Sequence, residues 1–303
     1  MKKPYFTLMK AGFGIAIISA LIYAIGFREI AGIISSTNPL VYLIIAIGYL
    51  LNALLNTASY YLVLSRINVK IRFMTLFRHF VSSWSIGTII PGKFGDLSIL
   101  YFLKKQNIEV KDSAIMYLVD KAGTFAFYVM MATITFYLLL PGGKIYIPMM
   151  IAIIALLSFV LFLRFGTKVI SKFLKKYAMS FEEFTEKLKL FMRKDYSLFI
   201  ILILLSAIRW AILALSMWLV LGMAGVYVDF PYVYLISVTI NILALIPITI
   251  SGLGLKEGAS VYMYGLIGVP AGLVMAASLI YSIATIGLAL VGVLMIRIGK
   301  DKK

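Results

Sequence analysis

The segment YSLFIILILLSAIRWAILALSMWLVL, residues 196–221, contains one charged residue, Arg209. About 20 apolar residues in a helix span the ~30 Å hydrocarbon core of a bilayer, so this segment is long enough to cross a membrane. The whole chain shares its character, because 62% of the 303 residues are hydrophobic and 14% are charged. Soluble domains carry about 25% charged residues. Together with a mean hydropathy of +1.02, this composition excludes a soluble globular protein.

The pattern of the apolar runs determines the class of membrane fold. In lipid only helices and closed barrels satisfy every backbone donor and acceptor. The runs of Ile, Leu and Val are unbroken, whereas the strands of a barrel alternate apolar and polar residues. We therefore predict an all-α polytopic membrane protein in which residues 1–303 form a single integral membrane domain. The six predicted full transmembrane helices lie at about 8–27, 39–64, 112–140, 147–165, 196–221 and 271–296.

Two further apolar segments are interrupted by proline and glycine. Residues 73–104 are broken by the loop 90–95, IPGKFG, and residues 231–268 are broken at Pro247 and by the loop 251–254, SGLG. Each half has about 14 to 17 residues, which is short for a full crossing. We predict that both segments are re-entrant, broken helical hairpins. The residues expected to separate the halves are Pro91, Gly92, Gly95, Pro247, Gly252 and Gly254.

The basic residues give this scheme an orientation. With the N-terminus in the cytoplasm, 22 of the 29 Lys and Arg residues fall in cytoplasmic segments, and two, Arg28 and Lys144, fall outside. Lys and Arg in short loops remain on the cytoplasmic side. The net charge of +17 is therefore a topology signal and not a sign of nucleic-acid binding. We predict a multi-pass protein of the plasma membrane with both termini in the cytoplasm.

Residues 73–140 and 231–298 share an order of features: a half-helix, a Pro/Gly loop, an acidic residue, a second half-helix and a long span. Aligning Asp96 with Glu257 also aligns Tyr101 with Tyr262. In the predicted topology the two hairpins enter from opposite faces, so the segments form an inverted repeat. Inverted repeats with broken helices near the membrane midplane are a recurring construction of carriers.

A peripheral element is predicted at residues 167–195. Aromatic and leucine residues recur there at spacings of three and four, and many lysines fall between them. This pattern is typical of a basic amphipathic helix that lies on the cytoplasmic leaflet and is attracted to anionic lipids.

The loop motifs resemble those of a known family. The motifs are IPGKFGD at 90–96 with VDK at 119–121, and IP at 246–247 with SGLGLKE at 251–257. They are similar to the paired motifs of the flippase-like membrane family, which includes the transmembrane half of bacterial lysylphosphatidylglycerol synthases. The resemblance covers essentially the whole chain and departs at Asp96, where Glu is the commoner residue. It is confined to the membrane half, without the soluble aminoacyl-transferring domain, and implies translocation or handling of a lipid.

Charges inside the predicted spans need a physical explanation, because one at the bilayer centre costs about 2.5 to 3.5 kcal/mol on insertion scales. Arg209 either binds a lipid phosphate through its planar fork or forms an ion pair with Asp120 or Glu257. Asp120 and Lys121 point about 100° apart on a helix, so we expect each to find its partner on another helix. The predicted substrate-binding residues are Arg78, Lys93, Lys121, Arg209 and Lys256. The predicted gating or structural charges are Asp96, Asp120 and Glu257.

Three classes of function fit these features. The first is a flippase-like or scramblase-like carrier, not an enzyme, that moves an anionic phospholipid or polyprenyl-linked headgroup through a polar cavity between the repeats. The second is a non-catalytic partner of a separate lipid-modifying synthase or glycosyltransferase. The third is an intramembrane enzyme, either a lipid-modifying transferase or an aspartyl protease that uses Asp96 and Asp120. With no cysteine and one histidine, and without a Walker-type loop, we expect no metal and no cofactor.

Overall fold

A computed structural model describes residues 3–90, 95–139, 196–243, 249 and 252–298. Within these ranges the chain is helical and contains no strand. The helices are α1 (Lys3–Ile25), α2 (Phe27–Ser36), α3 (Leu40–Arg66), α4 (Phe73–Ile89), α5 (Ser98–Lys104), α6 (Val110–Leu139), α7 (Tyr196–Met223), α8 (Phe230–Leu243), α9 (Leu255–Gly265) and α10 (Ala271–Ile298).

Four of these helices are long and apolar enough to cross a membrane, namely α3, α6, α7 and α10, and the pair α1–α2 makes a fifth if it is one bent span. The four coincide with the predicted spans 39–64, 112–140, 196–221 and 271–296 to within a few residues. The fold is therefore a multi-pass helical membrane protein. The predictions at 147–165 and 167–195 lie outside the described residues.

The first span differs from its prediction. It was expected at 8–27, but α1 begins at Lys3 and ends at Ile25, and α2 leaves it at an angle of 96°. Gly26 forms the bend with φ +120°, a conformation that residues with a Cβ rarely adopt. A single glycine in an apolar run is a weak signal, and α2 was not predicted.

One face of α2 packs on α10. Ile30 is 3% exposed and forms a core cluster with Met275 and Ala276, while Arg28 and Glu29 on the same helix are exposed. Such a division into one apolar and one polar face is typical of a helix at a surface. Contacts with α10 therefore stabilise α2.

Both predicted interruptions are breaks between helices. The first lies between α4 and α5 and the second between α8 and α9. The second half of each interrupted segment is shorter than predicted, because α5 has only 7 residues and α9 only 11. They are short because α5 begins only after a turn of 3₁₀-helix at 95–97, and because positive-φ residues end both helices early.

Four helices end in the same hydrogen-bonded turn. After α3, Asn68 has φ +60°, its amide donates to the Ser65 carbonyl at 3.1 Å, and the Val69 amide donates to the Leu64 carbonyl at 2.9 Å. These two bonds satisfy carbonyl groups that the end of the helix leaves without amide donors, in the Schellman arrangement. The same two hydrogen bonds form at three other positive-φ residues that follow a helix. These residues are Asn107 after α5, Gly225 after α7 and Gly268 after α9.

These turns divide the helices into two matching series. The succession α3 to α6 recurs as α7 to α10, with a break after the second helix and positive-φ turns after the first and third. We call residues 40–139 the first repeat and residues 196–298 the second repeat. Each contains one helix more than the predicted repeat. The equivalent pairs are Asn68 and Gly225, Phe73 and Phe230, Asn107 and Gly268, and Val110 and Ala271.

The described residues fall into two compact units. The first unit takes its residues from Met1–Leu54, Phe77–Ile99 and Arg209–Lys303, and the second from Leu55–Leu76 and Leu100–Ile208. The first unit holds both helix breaks and the second holds Asp120 and Lys121.

Candidate functional site

The second break contains a buried carboxylate. Gly252 and Gly254 have φ of +78° and +83°, and α9 begins directly after them at Leu255. Glu257 in the first turn of α9 is 1% exposed, and its Oε2 accepts a hydrogen bond from the Gly254 amide at 2.6 Å. The first amides of a helix have no partner within the helix and carry partial positive charge. The carboxylate therefore closes the N-terminus of α9.

The other oxygen of this carboxylate is bound by the next helix. Ser282 of α10 donates a hydrogen bond from Oγ to Glu257 Oε1 at 2.5 Å. Both carboxylate oxygens thus accept hydrogen bonds, one from the loop and one from a neighbouring helix. The pair of bonds compensates for burying the side chain away from water.

Helix α1 packs closely on the glycine loop. A Cβ at Gly254 would lie 2.7 Å from the Gly14 carbonyl oxygen, and a Cβ at Gly14 would lie 2.9 Å from the Leu253 carbonyl oxygen. Neither position has room for a side chain. The glycines of α1 and of the loop therefore allow two backbones to touch at the second break.

The first break is held by similarly close contacts. A Cβ at Gly95 would lie 2.6 Å from the backbone of Ile86, and a methyl group at Gly87 would overlap the Asp96 carboxylate. The Ser83 hydroxyl donates to the Asp96 carbonyl oxygen at 2.7 Å. Serine and glycine thus join α4 to the chain that follows the loop.

An aromatic cluster in the first unit was missed by the sequence analysis. The Tyr49 ring lies 5.2 Å from the Trp84 ring and 5.9 Å from the Tyr281 ring, measured between centroids. The Thr285 hydroxyl donates to the Tyr49 hydroxyl at 3.1 Å. The cluster joins α3, α4 and α10. Because the chain contains 20 Phe and 19 Tyr, no pattern distinguishes these aromatic residues in the sequence.

Arg209 lies on α7 and is 3% exposed. The Asn52 side-chain amide donates to the Arg209 carbonyl oxygen at 3.1 Å. One turn further, the Tyr281 hydroxyl donates to the Leu213 carbonyl oxygen at 3.5 Å. Polar side chains of α3 and α10 therefore contact the backbone of α7 around the buried arginine.

In the second unit, Asp120 and Lys121 contact each other. Asp120 is fully buried, and Lys121 Nζ lies 3.7 Å from its Oδ2 and 5.3 Å from the centroid of the Tyr117 ring. Each residue was expected to find its partner on another helix, whereas this contact lies within one helix. The long lysine side chain extends back over the helix surface, and this compensates for the angle of about 100° between the two positions.

Two further predicted site residues, Arg78 and Lys256, lie in the described part of the chain. Arg78 is exposed on α4, and Lys256 is partly buried in the first turn of α9. Lys93, Pro91, Gly92 and Pro247 lie outside the described residues. Among the described residues, no group of three or more His, Asp and Glu side chains could hold a metal ion.

A family comparison agrees with this architecture. The family model for the lysylphosphatidylglycerol synthase TM region matches residues 11–292 of the chain. The chain belongs to this family. The match confirms the family that the loop motifs indicated. No curated protein matches the chain.

Membership of the lysylphosphatidylglycerol synthase TM region family makes this a membrane protein of the lipid synthase and flippase-related kind. The matched residues include both glycine loops, Arg209, Asp120 and the bonded pair Glu257 and Ser282. The candidate site therefore lies within the part of the chain that the family shares.

Proposed function

We propose that this protein is a flippase-like or scramblase-like carrier that moves an anionic lipid headgroup across the plasma membrane. The headgroup belongs to a phospholipid or to a polyprenyl-linked lipid. The observation that carries the proposal is the buried Glu257 carboxylate at the N-terminus of the broken helix α9. Ionisable residues within a membrane, and helices interrupted there, are typical of substrate pathways.

In this proposal the two repeats are inverted with respect to each other, and their charges support this arrangement. The end of α5, the turn after it and the start of α6 contain Lys104, Lys105 and Lys111, whereas the equivalent positions of the second repeat are uncharged. Lys and Arg accumulate in cytoplasmic loops. This difference in charge is expected if the two turns lie on opposite faces of the membrane. The equivalent uncharged residues are Gly265, Leu266 and Gly272.

The basic residues of the proposed pathway bind the lipid phosphate. Arg209 provides two parallel donors for phosphate oxygens, and lysines act as point charges. The acidic residues hold the broken helices or gate the pathway. The proposed phosphate-binding residues are Arg78, Lys93, Lys121, Arg209 and Lys256, and the proposed gating or positioning residues are Asp96, Asp120 and Glu257.

Lipid translocation in proteoliposomes tests the proposal. Fluorescent phosphatidylglycerol or phosphatidylcholine is placed in both leaflets, and a membrane-impermeant reductant bleaches the outer leaflet. The protein is expected to expose inner-leaflet phosphatidylglycerol to the reductant. Arg209→Ala is expected to slow this about tenfold, the loss expected for one charge-assisted contact.

Two further variants control for folding and for loss of charge. Arg209→Lys keeps the positive charge without the bidentate fork and is expected to have an intermediate rate. Arg28→Ala removes an exposed arginine of α2 and is expected to leave the rate unchanged. Folded wild-type protein that moves none of the lipids would contradict the proposal.

A second candidate function is that of a non-catalytic membrane partner of a lipid-modifying enzyme. The family description, which refers to the membrane region of a synthase, favours it. In that case the protein should co-purify with a soluble or membrane-bound synthase, and reconstitution of this chain alone should give no translocation. Translocation by the isolated chain would exclude the partner role as its sole function.

A further inference from the structure

A cavity of about 530 Å³ opens at the turn between α3 and α4. It is lined by Tyr61 and Ser65 of α3 and by the turn residues 68–72. Two of these lining residues, Lys70 and Arg72, are basic and exposed. The whole cavity lies in the second unit and contains none of the residues proposed for the pathway.

The polar groups of this cavity match a phosphate. An arginine fork binds two phosphate oxygens at once, and a lysine ammonium adds a compact charge. Tyr61 adds an aromatic ring of the kind that is enriched where a membrane meets water. A phosphate group with an attached apolar body fits this combination better than a bare ion.

The equivalent turn of the second repeat has the same local backbone conformation but different side chains. Both turns are Schellman arrangements, around Asn68 and around Gly225. Both also contain an aromatic pair in edge contact: the Tyr61 and Phe73 centroids are 5.9 Å apart, and those of Trp218 and Phe230 are 6.4 Å apart. The two turns therefore share a hydrogen-bonded backbone conformation and one aromatic contact.

The side chains at the two turns differ. In the second repeat, Trp218 takes the position of Tyr61, and its indole donates to the Val228 carbonyl oxygen at 2.7 Å. The indole thus bonds to the backbone of the turn. The two cationic groups and the serine hydroxyl of the first turn are also absent, since Gly222, Tyr227 and Asp229 stand at the positions equivalent to Ser65, Lys70 and Arg72.

We infer that the turn between α3 and α4 is a binding site for the phosphate of an anionic phospholipid in the leaflet that it faces. The site holds a lipid beside the protein and requires no translocation, so its test is independent of the proposed function. The same phosphate chemistry occurs in soluble phosphate esters. A test must therefore separate a lipid headgroup from a free phosphate.

Native mass spectrometry of the full chain in detergent measures the apparent Kd for added phosphatidylglycerol. The double variant Lys70→Tyr/Arg72→Asp introduces the residues of the second turn and is expected to weaken binding about 10- to 30-fold. Tyr61→Trp introduces the indole of the second turn without changing the charge, and it is also expected to weaken binding. Phosphatidylcholine should bind more weakly than phosphatidylglycerol to the wild-type protein.

Arg66→Ala is the matched control, because Arg66 is exposed in the last turn of α3 but does not line the cavity. It is expected to leave the apparent Kd within about threefold, since exposed charges are screened by salt. Glycerol 3-phosphate is expected not to displace the lipid at comparable concentration.

Three results would overturn the inference. If Arg66→Ala weakened phosphatidylglycerol binding as much as the double variant, the lipid would be attracted to basic residues in general and not to this site. Binding unaffected by Tyr61→Trp would show that the cavity is not the site. Glycerol 3-phosphate that binds as tightly as phosphatidylglycerol would identify a soluble phosphate as the ligand.

Discussion

Ser282 donates a 2.5 Å hydrogen bond to Glu257, so a serine of the long helix α10 holds the carboxylate that closes the N-terminus of α9. The same carboxylate binds the Gly254 amide in the loop. Movement of α10 or of the loop would therefore act on the other through one side chain. This gives Glu257 a positioning role at the break, whether or not it also contacts a substrate.

Removing the serine hydroxyl should destabilise this arrangement. Ser282→Ala is expected to reduce the free energy of unfolding by about 1 to 2 kcal/mol, a typical loss for a hydrogen bond between membrane helices or to a charged group. Denaturant unfolding in mixed micelles measures this change.

Ser278 is the matched control, one turn earlier on α10. It is 7% exposed, and its hydroxyl has no hydrogen-bond partner within the described part of the chain. Ser278→Ala should therefore be neutral or stabilising. Equal destabilisation by the two substitutions would show that the Ser282–Glu257 bond adds nothing specific.

Two glycines of α1 offer a similar comparison. Gly14→Ala places a Cβ 2.9 Å from the Leu253 carbonyl oxygen, whereas a Cβ at Gly12 meets no atom within 4 Å. Gly14→Ala should lower stability by about 1 to 3 kcal/mol through overpacking. Gly12→Ala should be neutral or stabilising by up to about 1 kcal/mol, because alanine favours helix. Apparent melting temperatures in detergent should rank the variants in this order, and a neutral Gly14→Ala would disprove tight packing of α1 on the loop.

The sequence predicted those parts of the fold that depend only on hydropathy or on the backbone chemistry of proline and glycine. Long apolar runs located α3, α6, α7 and α10, and the Pro/Gly loops located both breaks. Asn68 and Asn107 were not predicted as helix ends, because asparagine adopts positive φ only in some contexts. In the structure these two asparagines end helices in the same way as Gly225 and Gly268.

The contacts of the candidate site were harder to predict. Glu257 and Gly254 are three residues apart, so the cap between them is a local contact. Ser282 and the Tyr49 cluster join residues of different helices, and a single sequence contains no signal for such contacts. The contact between Asp120 and Lys121 was not expected, because backbone angles alone do not describe the reach of a lysine side chain.

The proposed carrier and an intramembrane protease differ in their response to one substitution. Asp96 lies against Gly87, and in a carrier Asp96→Asn changes a positioning or gating group. We expect it to slow lipid translocation severalfold without abolishing it. A protease dyad requires a carboxylate that shares a proton, so the same change would eliminate cleavage. Translocation rates of wild-type and Asp96→Asn proteoliposomes, at matched protein content, test this expectation, and an unchanged rate would remove Asp96 from the pathway.

The central claim is that the two repeats face opposite sides of the membrane, and cysteine labelling tests it most directly. The chain has no cysteine, so Lys70→Cys and Tyr227→Cys each introduce a single thiol at equivalent, exposed turn positions. In intact cells a membrane-impermeant maleimide should label Tyr227→Cys at once and Lys70→Cys only after permeabilisation. Labelling of both variants from the same side would contradict the inverted arrangement and the carrier mechanism built on it.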